Sequence, residues 1–182
     1  MPTWFHERCC HAMILHLIRH PQPVVEAGIC YGRLDLAAEN AAEVAARLRA
    51  ELPPGLPVWS SPLRRCRELA GLLHPQPILD ERLAEMDFGA WEGLAWDAIP
   101  RTELDAWAAD VAGYAPPGGE SPRQLQQRAL AFVADLREPE AVIVTHAGVI
   151  RVLLAAWQGL PASRWTELSF AYGSCTRLVL GS

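Results

Sequence analysis

The chain has 182 residues, of which 51% are hydrophobic, and a formal net charge of -5. A chain of this length and apolar content is expected to fold as one domain with a buried core. The acidic balance excludes a general nucleic-acid-binding surface, because such a surface needs clustered positive charge. All sixteen basic residues are arginines, which excludes the lysine-dependent P-loop.

The cysteines and the N-terminal residues indicate in which cellular compartment the protein is expected. Five cysteines form no CxxC pair, and we find neither a secretory leader nor an apolar stretch near twenty residues. These features predict a reduced cytoplasmic protein without a membrane span. Residues 1–12 differ in character from the rest and are predicted to be an N-terminal tail or an upstream start, with the domain over residues 13–182. The tail contains His6, Cys9, Cys10 and His11, whose spacing fits zinc poorly, so we expect no metal.

The first half of the chain alternates between strand and helix patterns. An apolar run over residues 13–18 predicts a buried strand that leads into Arg19 and His20. Residues 37–52 carry an amphipathic helical stripe, and residues 57–60 read as a short strand. Ser61 and Pro62 then predict an N-cap and a first helical position for a helix reaching about residue 74. Residues 78–79 follow as a strand.

The second half begins with an irregular stretch through Gly93, after which we predict helices over residues 102–111 and 122–137. A second apolar run over residues 141–145 ends at His146, and residues 170–172 and 176–180 are predicted to be closing strands. This alternation predicts an α/β fold, a three-layer αβα sandwich with a mostly parallel central sheet. Because ligands bind at the carboxyl ends of such strands, both histidines are expected in one crevice.

Helical geometry distinguishes three neighbouring arginines. At ~100° per residue, Arg65 flanks the apolar face of its helix, whereas Arg64 and Arg67 point toward solvent. Arg65 is thus the one expected to face the interior, at a helix N-terminus that favours anions.

Four ordered segments resemble the histidine phosphatase superfamily, the phosphoglycerate-mutase-like group. They are Leu17-Ile18-Arg19-His20, the segment from Ser60 to Cys66, the segment from Glu81 to Gly93, and the segment from Val144 to Arg151; Gly118-Gly119-Glu120-Ser121 is a further match. The resemblance spans nearly the whole chain from Met13. It implies a phosphoglycerate-mutase-like fold and a metal-independent phosphatase that needs no cofactor.

The chemistry of a phosphomonoesterase assigns roles to these residues. A neutral imidazole can attack phosphorus, and His20 is the candidate nucleophile. Forked guanidiniums neutralise the equatorial phosphate oxygens, and Arg19 and Arg65 are the candidates. His146 is expected to donate to the phosphoryl group.

The remaining candidates complete the predicted pocket. The backbone amides of Ala147 and Gly148 are expected to open a helix toward the phosphate. Glu85 is the candidate acid and base, because it lies where the resemblance places the family's acid. Glu81 and Glu92 are weaker rivals, Asp87 is expected to be a loop residue, and Arg151 is expected to form a structural ion pair. Trp91, Trp96 and Trp107 either line a substrate cleft or pack as core.

Departures from the family pattern concern the substrate. Pro21, Pro23 and Glu26 replace residues that usually contact phosphate. The Arg-His-Pro-x-Pro start, with the loop over residues 28–35, resembles bacterial α-ribazole phosphatases. That resemblance implies removal of the 5′-phosphate from α-ribazole phosphate in cobalamin nucleotide-loop assembly.

Other functions remain open from the sequence. A broad sugar-phosphate phosphatase, a phosphoglycerate mutase and a phosphate-binding regulatory module without turnover are the alternatives. In each case the partner is a small phosphorylated metabolite rather than nucleic acid or membrane. The residues leave the oligomeric state open, with a homodimer as one option.

Overall fold

The computed structural model describes residues 12–181, and within them a five-stranded sheet has the order β3-β2-β4-β1-β5. The strands are β1 (Met13–Arg19), β2 (Val58–Ser60), β3 (Ile78–Leu79), β4 (Glu140–Thr145) and β5 (Cys175–Leu180). Strands β1 to β4 are parallel to one another, and β5 runs antiparallel to β1 at the edge. The predicted α/β fold with a mostly parallel sheet is confirmed.

The helices flank this sheet. They are α1 (Ala41–Glu51), α2 (Arg64–Leu73), α3 (Arg101–Ala109), α4 (Pro122–Asp135) and α5 (Ala147–Gln158). Short 3-10 turns lie at Glu81–Leu83, Gly89–Trp91, Trp96–Ala98 and Ala162–Glu167. A capping box in which Ser121 and Gln124 exchange hydrogen bonds fixes the start of α4.

Alternation along the strands produces the three layers. In β1, Leu15 and Leu17 pack in one buried cluster with Leu125 of α4 and Ile150 of α5. Ile18 faces the other side and packs with residues of α1 and α2. Because successive side chains of a strand point to opposite faces, the sheet is covered by helices on both sides.

Several predicted boundaries are wrong for local reasons. Helix α1 begins at residue 41 rather than 37, because Asn40 adopts a left-handed conformation with φ of 53°. Helix α2 begins at Arg64, with Leu63 rather than Ser61 at its N-cap. The predicted strand over residues 170–172 does not form, and this segment is a loop before β5.

The N-terminal prediction concerns residues that are not described. Residues 1–11 of the predicted tail lie outside the described range, and they include His6, Cys9, Cys10 and His11. Of the tail, Ala12 is described. Within the described part of the chain, no helix is long and apolar enough to span a bilayer.

Candidate active site

The two strand-ending histidines lie side by side because their strands are neighbours in the sheet. Arg19 of β1 is in register with Thr145 of β4, so the next residue of each strand occupies the same edge. The His20 amide donates to the Thr145 carbonyl at 2.9 Å. The centroids of the His20 and His146 rings are 5.0 Å apart. The two apolar runs therefore bring both histidines together at one edge of the sheet, as predicted.

His20 is held as a neutral imidazole. Its Nδ1 donates to the carbonyl oxygen of Pro21 at 2.6 Å, which leaves the lone pair on Nε2. Nε2 lies 3.3 Å from Nε of Arg65, which donates to it. Burial, followed by the positive charge of Arg65 and then Arg19, lowers the pKa of His20 from 6.5 to about 3, against the opposing effect of the Pro21 bond. The ring is therefore unprotonated at neutral pH.

Arg65 is a fully buried cation. Its Nη1 and Nη2 donate to the carbonyls of Leu34 and Gly32, at 2.7 and 2.6 Å. No carboxylate of the described residues lies within 4 Å of its guanidinium. Arg64 and Arg67 are exposed, as the helical geometry predicts. A buried guanidinium without a carboxylate partner favours a bound anion.

Arg19 is held by the loop that precedes β5. Its Nη1 donates to the Phe170 carbonyl at 2.6 Å, and its guanidinium lies 3.7 Å over the ring of Tyr172. The Tyr172 ring is also 5.7 Å from the His20 ring, and its hydroxyl is hydrogen-bonded to that of Tyr31. The buried Nε of Arg19 has no hydrogen-bond partner among residues 12–181, so a donor remains available there.

His146 is fully buried at the N-terminus of α5. Its Nε2 lies 2.8 Å from the Ser61 hydroxyl and 3.4 Å from Sγ of Cys66. Burial, and then the charge of Arg65, holds the pKa of His146 well below 6.5. The Ser61 bond fixes the orientation of the ring. Ser61 was predicted to cap α2, and its contact with His146 is a long-range one that its Ser-Pro context does not indicate.

Glu85 lies against the start of α5. Its carboxylate accepts hydrogen bonds from the amides of Met86 at 2.9 Å and Gly148 at 3.2 Å. A Cβ on residue 148 would lie 2.1 Å from Glu85 Oε1, so only glycine permits this approach. The Gly148 amide, predicted to face phosphate, donates to Glu85 in this structure. Ala147 and Gly148 line a cavity together with Glu85.

The rival carboxylates are occupied elsewhere. Glu92 accepts hydrogen bonds from the amides of Gly32, Arg33, Leu34 and Phe88 and so shapes the loop that holds Arg65. Glu81 is 78% exposed, at 3.6 Å from Arg33. Asp87 accepts from the amide of Gly89, as a loop residue.

Arg128 of α4 anchors the segment that carries Glu85. Its guanidinium donates to the carbonyls of Arg82, Ala84 and Glu85, at 2.7 to 2.9 Å. It also forms an ion pair with Glu120 at 2.6 Å. Sequence reasoning missed Arg128 and Tyr172 because both act through contacts with segments distant in sequence. The Gly-Gly-Glu-Ser match, which contains Glu120, was the available signal for the first.

The expectation for Arg151 is wrong. Among residues 12–181, no carboxylate lies within 4 Å of the Arg151 guanidinium, the limit for an ion pair. Its Nε instead donates to the Leu168 carbonyl at 3.1 Å.

Within residues 12–181, no group of three His, Cys, Asp or Glu side chains is arranged to hold a metal.

The tryptophans divide between the two predicted roles. Trp91 is buried in a small core cluster with Cys30 and Ile99. Trp96 and Trp107 pack against this cluster and also line the cavity beside Glu85.

Solved structures match the fold closely. The native structure of a mycobacterial glucosyl-3-phosphoglycerate phosphatase superposes with a TM-score of 0.78 and 31% identity, covering 93% of this chain and 91% of that one. The agreement extends over nearly the whole of both chains.

Curated relatives are phosphatases by name. The glucosyl-3-phosphoglycerate phosphatase of Mycolicibacterium vanbaalenii is 35% identical over 179 residues, covering 85% of this chain and 78% of the relative. The putative phosphoserine phosphatase 2 of Hydrogenobacter thermophilus is 31% identical, covering 80% and 79%. The adenosylcobalamin/alpha-ribazole phosphatase of Salmonella typhimurium is a more distant match, 29% identical and covering 69% and 72%. The resemblance to α-ribazole phosphatases in particular is therefore one among several.

A family model, the Histidine phosphatase superfamily (branch 1), matches residues 15–182. The fold, the paired strand-end histidines and the phosphatase relatives agree with this match. The chain belongs to the histidine phosphatase superfamily and is a phosphatase of the histidine-nucleophile type.

Proposed function

We propose that the protein hydrolyses phosphomonoesters in two steps through a phosphohistidine on His20. The observation that carries the proposal is the lone pair on Nε2 of a neutral, rigidly held His20, next to a buried guanidinium that has no carboxylate partner. A nucleophile must be unprotonated to attack, and a nearby cation must be free to neutralise phosphate. Both conditions are met at the same nitrogen.

In the first step, Nε2 of His20 attacks phosphorus and the bond from phosphorus to the ester oxygen breaks. Arg65 and the free Nε of Arg19 bind the equatorial oxygens, whose charge grows in the transition state. His146 donates to the phosphoryl group, with its ring held by Ser61.

Glu85 supplies the proton transfers. As an acid it gives its proton to the departing alkoxide in the first step. As a carboxylate it then takes a proton from water, whose oxygen attacks phosphorus. The bond between phosphorus and Nε2 breaks, which releases phosphate and restores His20. The hydrogen bonds from Met86 and Gly148 hold the carboxylate in place between these roles.

Two substrate classes are candidates. α-Ribazole 5′-phosphate is supported by the Arg-His-Pro-x-Pro start and by the relative named for it. Phosphate esters of small hydroxy acids are supported by two relatives of higher identity, since phosphoglycerate and phosphoserine both carry a carboxylate two carbons from the ester oxygen. A mutase or a binding module without turnover remains an alternative.

The test compares two buried histidines: His20, which directly follows β1, and His16, which lies within β1. His20→Ala is expected to lower kcat for p-nitrophenyl phosphate by at least ~10³-fold, because the nucleophile is lost. His16→Ala is the matched control; His16 pairs with Glu140 and lies away from the crevice, so turnover is expected within about threefold of wild type. Unchanged turnover in His20→Ala, or no turnover in the wild type, would contradict the proposal.

A further inference from the structure

A cavity of about 270 Å³ borders Glu85 on the side of α5. Its wall is mainly aromatic and apolar, with Phe88, Trp96, Trp107 and Trp165 among the lining residues. The rings of Trp96 and Trp107 are stacked, with centroids 5.9 Å apart and an angle of 11°. An apolar, aromatic wall of this kind is typical of small-molecule sites.

The position of this cavity relates it to the departing alcohol. A group that protonates the leaving oxygen must be within hydrogen-bond reach of it, so the leaving group lies against Glu85. Glu85 lines the cavity together with Ala147 and Gly148, the two residues that follow His146. The cavity therefore offers the leaving group a place to bind.

Arg151 introduces a charge into this apolar wall. It lies one helical turn beyond Ala147 on α5 and lines the cavity, with its Nε on the Leu168 carbonyl. Burial lowers its pKa, against the opposing effect of Glu85. Among the lining residues of the described chain, the charged ones are Glu85 and Arg151. When Glu85 carries the proton that it must donate, the wall bears a net positive charge.

We propose that this cavity holds the leaving group and that Arg151 binds a carboxylate on it, which makes Arg151 a specificity-determining residue. The inference rests on the proposed function and selects the hydroxy-acid class of substrates. A guanidinium matches the planar carboxylate with two parallel hydrogen bonds. A second phosphate would bring up to two negative charges against a single cation, so a carboxylate is the better match.

The test uses two substrates that differ at one carbon. 3-Phosphoglycerate and glycerol 3-phosphate differ in having a carboxylate or a hydroxymethyl group at the far end. Wild type is expected to prefer 3-phosphoglycerate by at least ~10-fold in kcat/KM, the usual scale of a charge-assisted pair. Arg151→Met should reduce this preference to within about threefold, and Arg151→Lys should retain part of it.

The controls separate specificity from folding. Arg177→Met removes one positive charge from an exposed position on β5 and should leave the preference unchanged. Thermal denaturation of each variant reports whether the fold is kept. A wild-type ratio near one overturns the inference, and so does an equal loss for both substrates in a folded Arg151→Met. The proposed function fails separately, if His20→Ala still hydrolyses either ester.

Discussion

At the scale of single residues, the geometry of the site depends on close contacts that one added methyl group would remove. Glu85 can lie against α5 because residue 148 has no side chain, and its carboxylate then accepts the Gly148 amide. Arg19 has a buried Nε without a hydrogen-bond partner among residues 12–181, and Arg65 is buried with backbone carbonyls and His20 as its partners. We therefore expect this edge of the sheet to bind phosphate.

Gly148→Ala tests the approach of Glu85. The new methyl group would overlap Glu85 Oε1, so the carboxylate must move away from the leaving group. We expect kcat for an alkyl phosphate to fall by ~10²-fold, and kcat for p-nitrophenyl phosphate to fall much less, because a good leaving group needs little protonation.

The control for this substitution is Gly71→Ala in α2, where a Cβ meets nothing within 4 Å. That variant should keep both rates and gain up to ~1 kcal/mol of stability, because alanine has the higher helix propensity. Equal defects of Gly148→Ala with both esters would remove the argument for Glu85 as the acid.

At the scale of elements, α4 holds the segment that carries Glu85. Arg128 holds three backbone positions of the segment around Glu85, through the carbonyls of Arg82, Ala84 and Glu85. We expect Arg128→Met to lower the free energy of unfolding by ~2–4 kcal/mol, since partly buried carbonyls lose their donor and Glu120 loses its shortest ion pair. It should also lower kcat more for alkyl than for aryl esters.

An exposed arginine of α3 provides the comparison. Arg101 forms a surface ion pair with Asp105, and Arg101→Met should change stability by less than ~1 kcal/mol and leave both rates alone. If Arg128→Met destabilises the fold without changing the ratio of the two rates, its role is structural only.

The elements also show what local sequence can and cannot predict. Strands β1 and β4 and helix α4 follow from continuous apolar runs and from a local cap, so they are found where predicted. Ser61 was misassigned because a Ser-Pro pair is typical of an N-cap, whereas its hydroxyl contacts His146, 85 residues away. The segment 170–172 was misassigned because its aromatic residues suit a strand, while Phe170 and Tyr172 contact Arg19 across the sheet edge.

At the scale of the whole molecule, a chain of net charge -5 concentrates buried positive charge at one edge of its sheet. That charge and burial keep His20 and His146 neutral in the folded state. The unfolded chain takes up protons on both rings once the pH falls below about 6.5. The fold therefore has its full stability from these residues above that pH and loses it on acidification.

This linkage predicts a pH-dependent stability. Between pH 6.5 and about 3, His20 binds a proton in the unfolded chain but not in the folded protein. The free energy of unfolding therefore falls as the pH falls. The loss is up to ~1.4 kcal/mol per pH unit. Urea denaturation at pH 7, 6, 5 and 4 should give a shallower loss for His20→Asn than for wild type. Parallel curves would show that His20 is not held neutral.

The most direct test of the central claim is the chemical identity of the phosphoenzyme. Because Nδ1 of His20 donates to the Pro21 carbonyl, phosphate is predicted to be attached at Nε2. Rapid quenching under alkaline conditions, followed by phosphorus–nitrogen NMR and peptide mapping, should find an acid-labile phosphoryl group on Nε2 of His20 during turnover. Phosphate on Nδ1, on His146 or on any other residue would contradict the account.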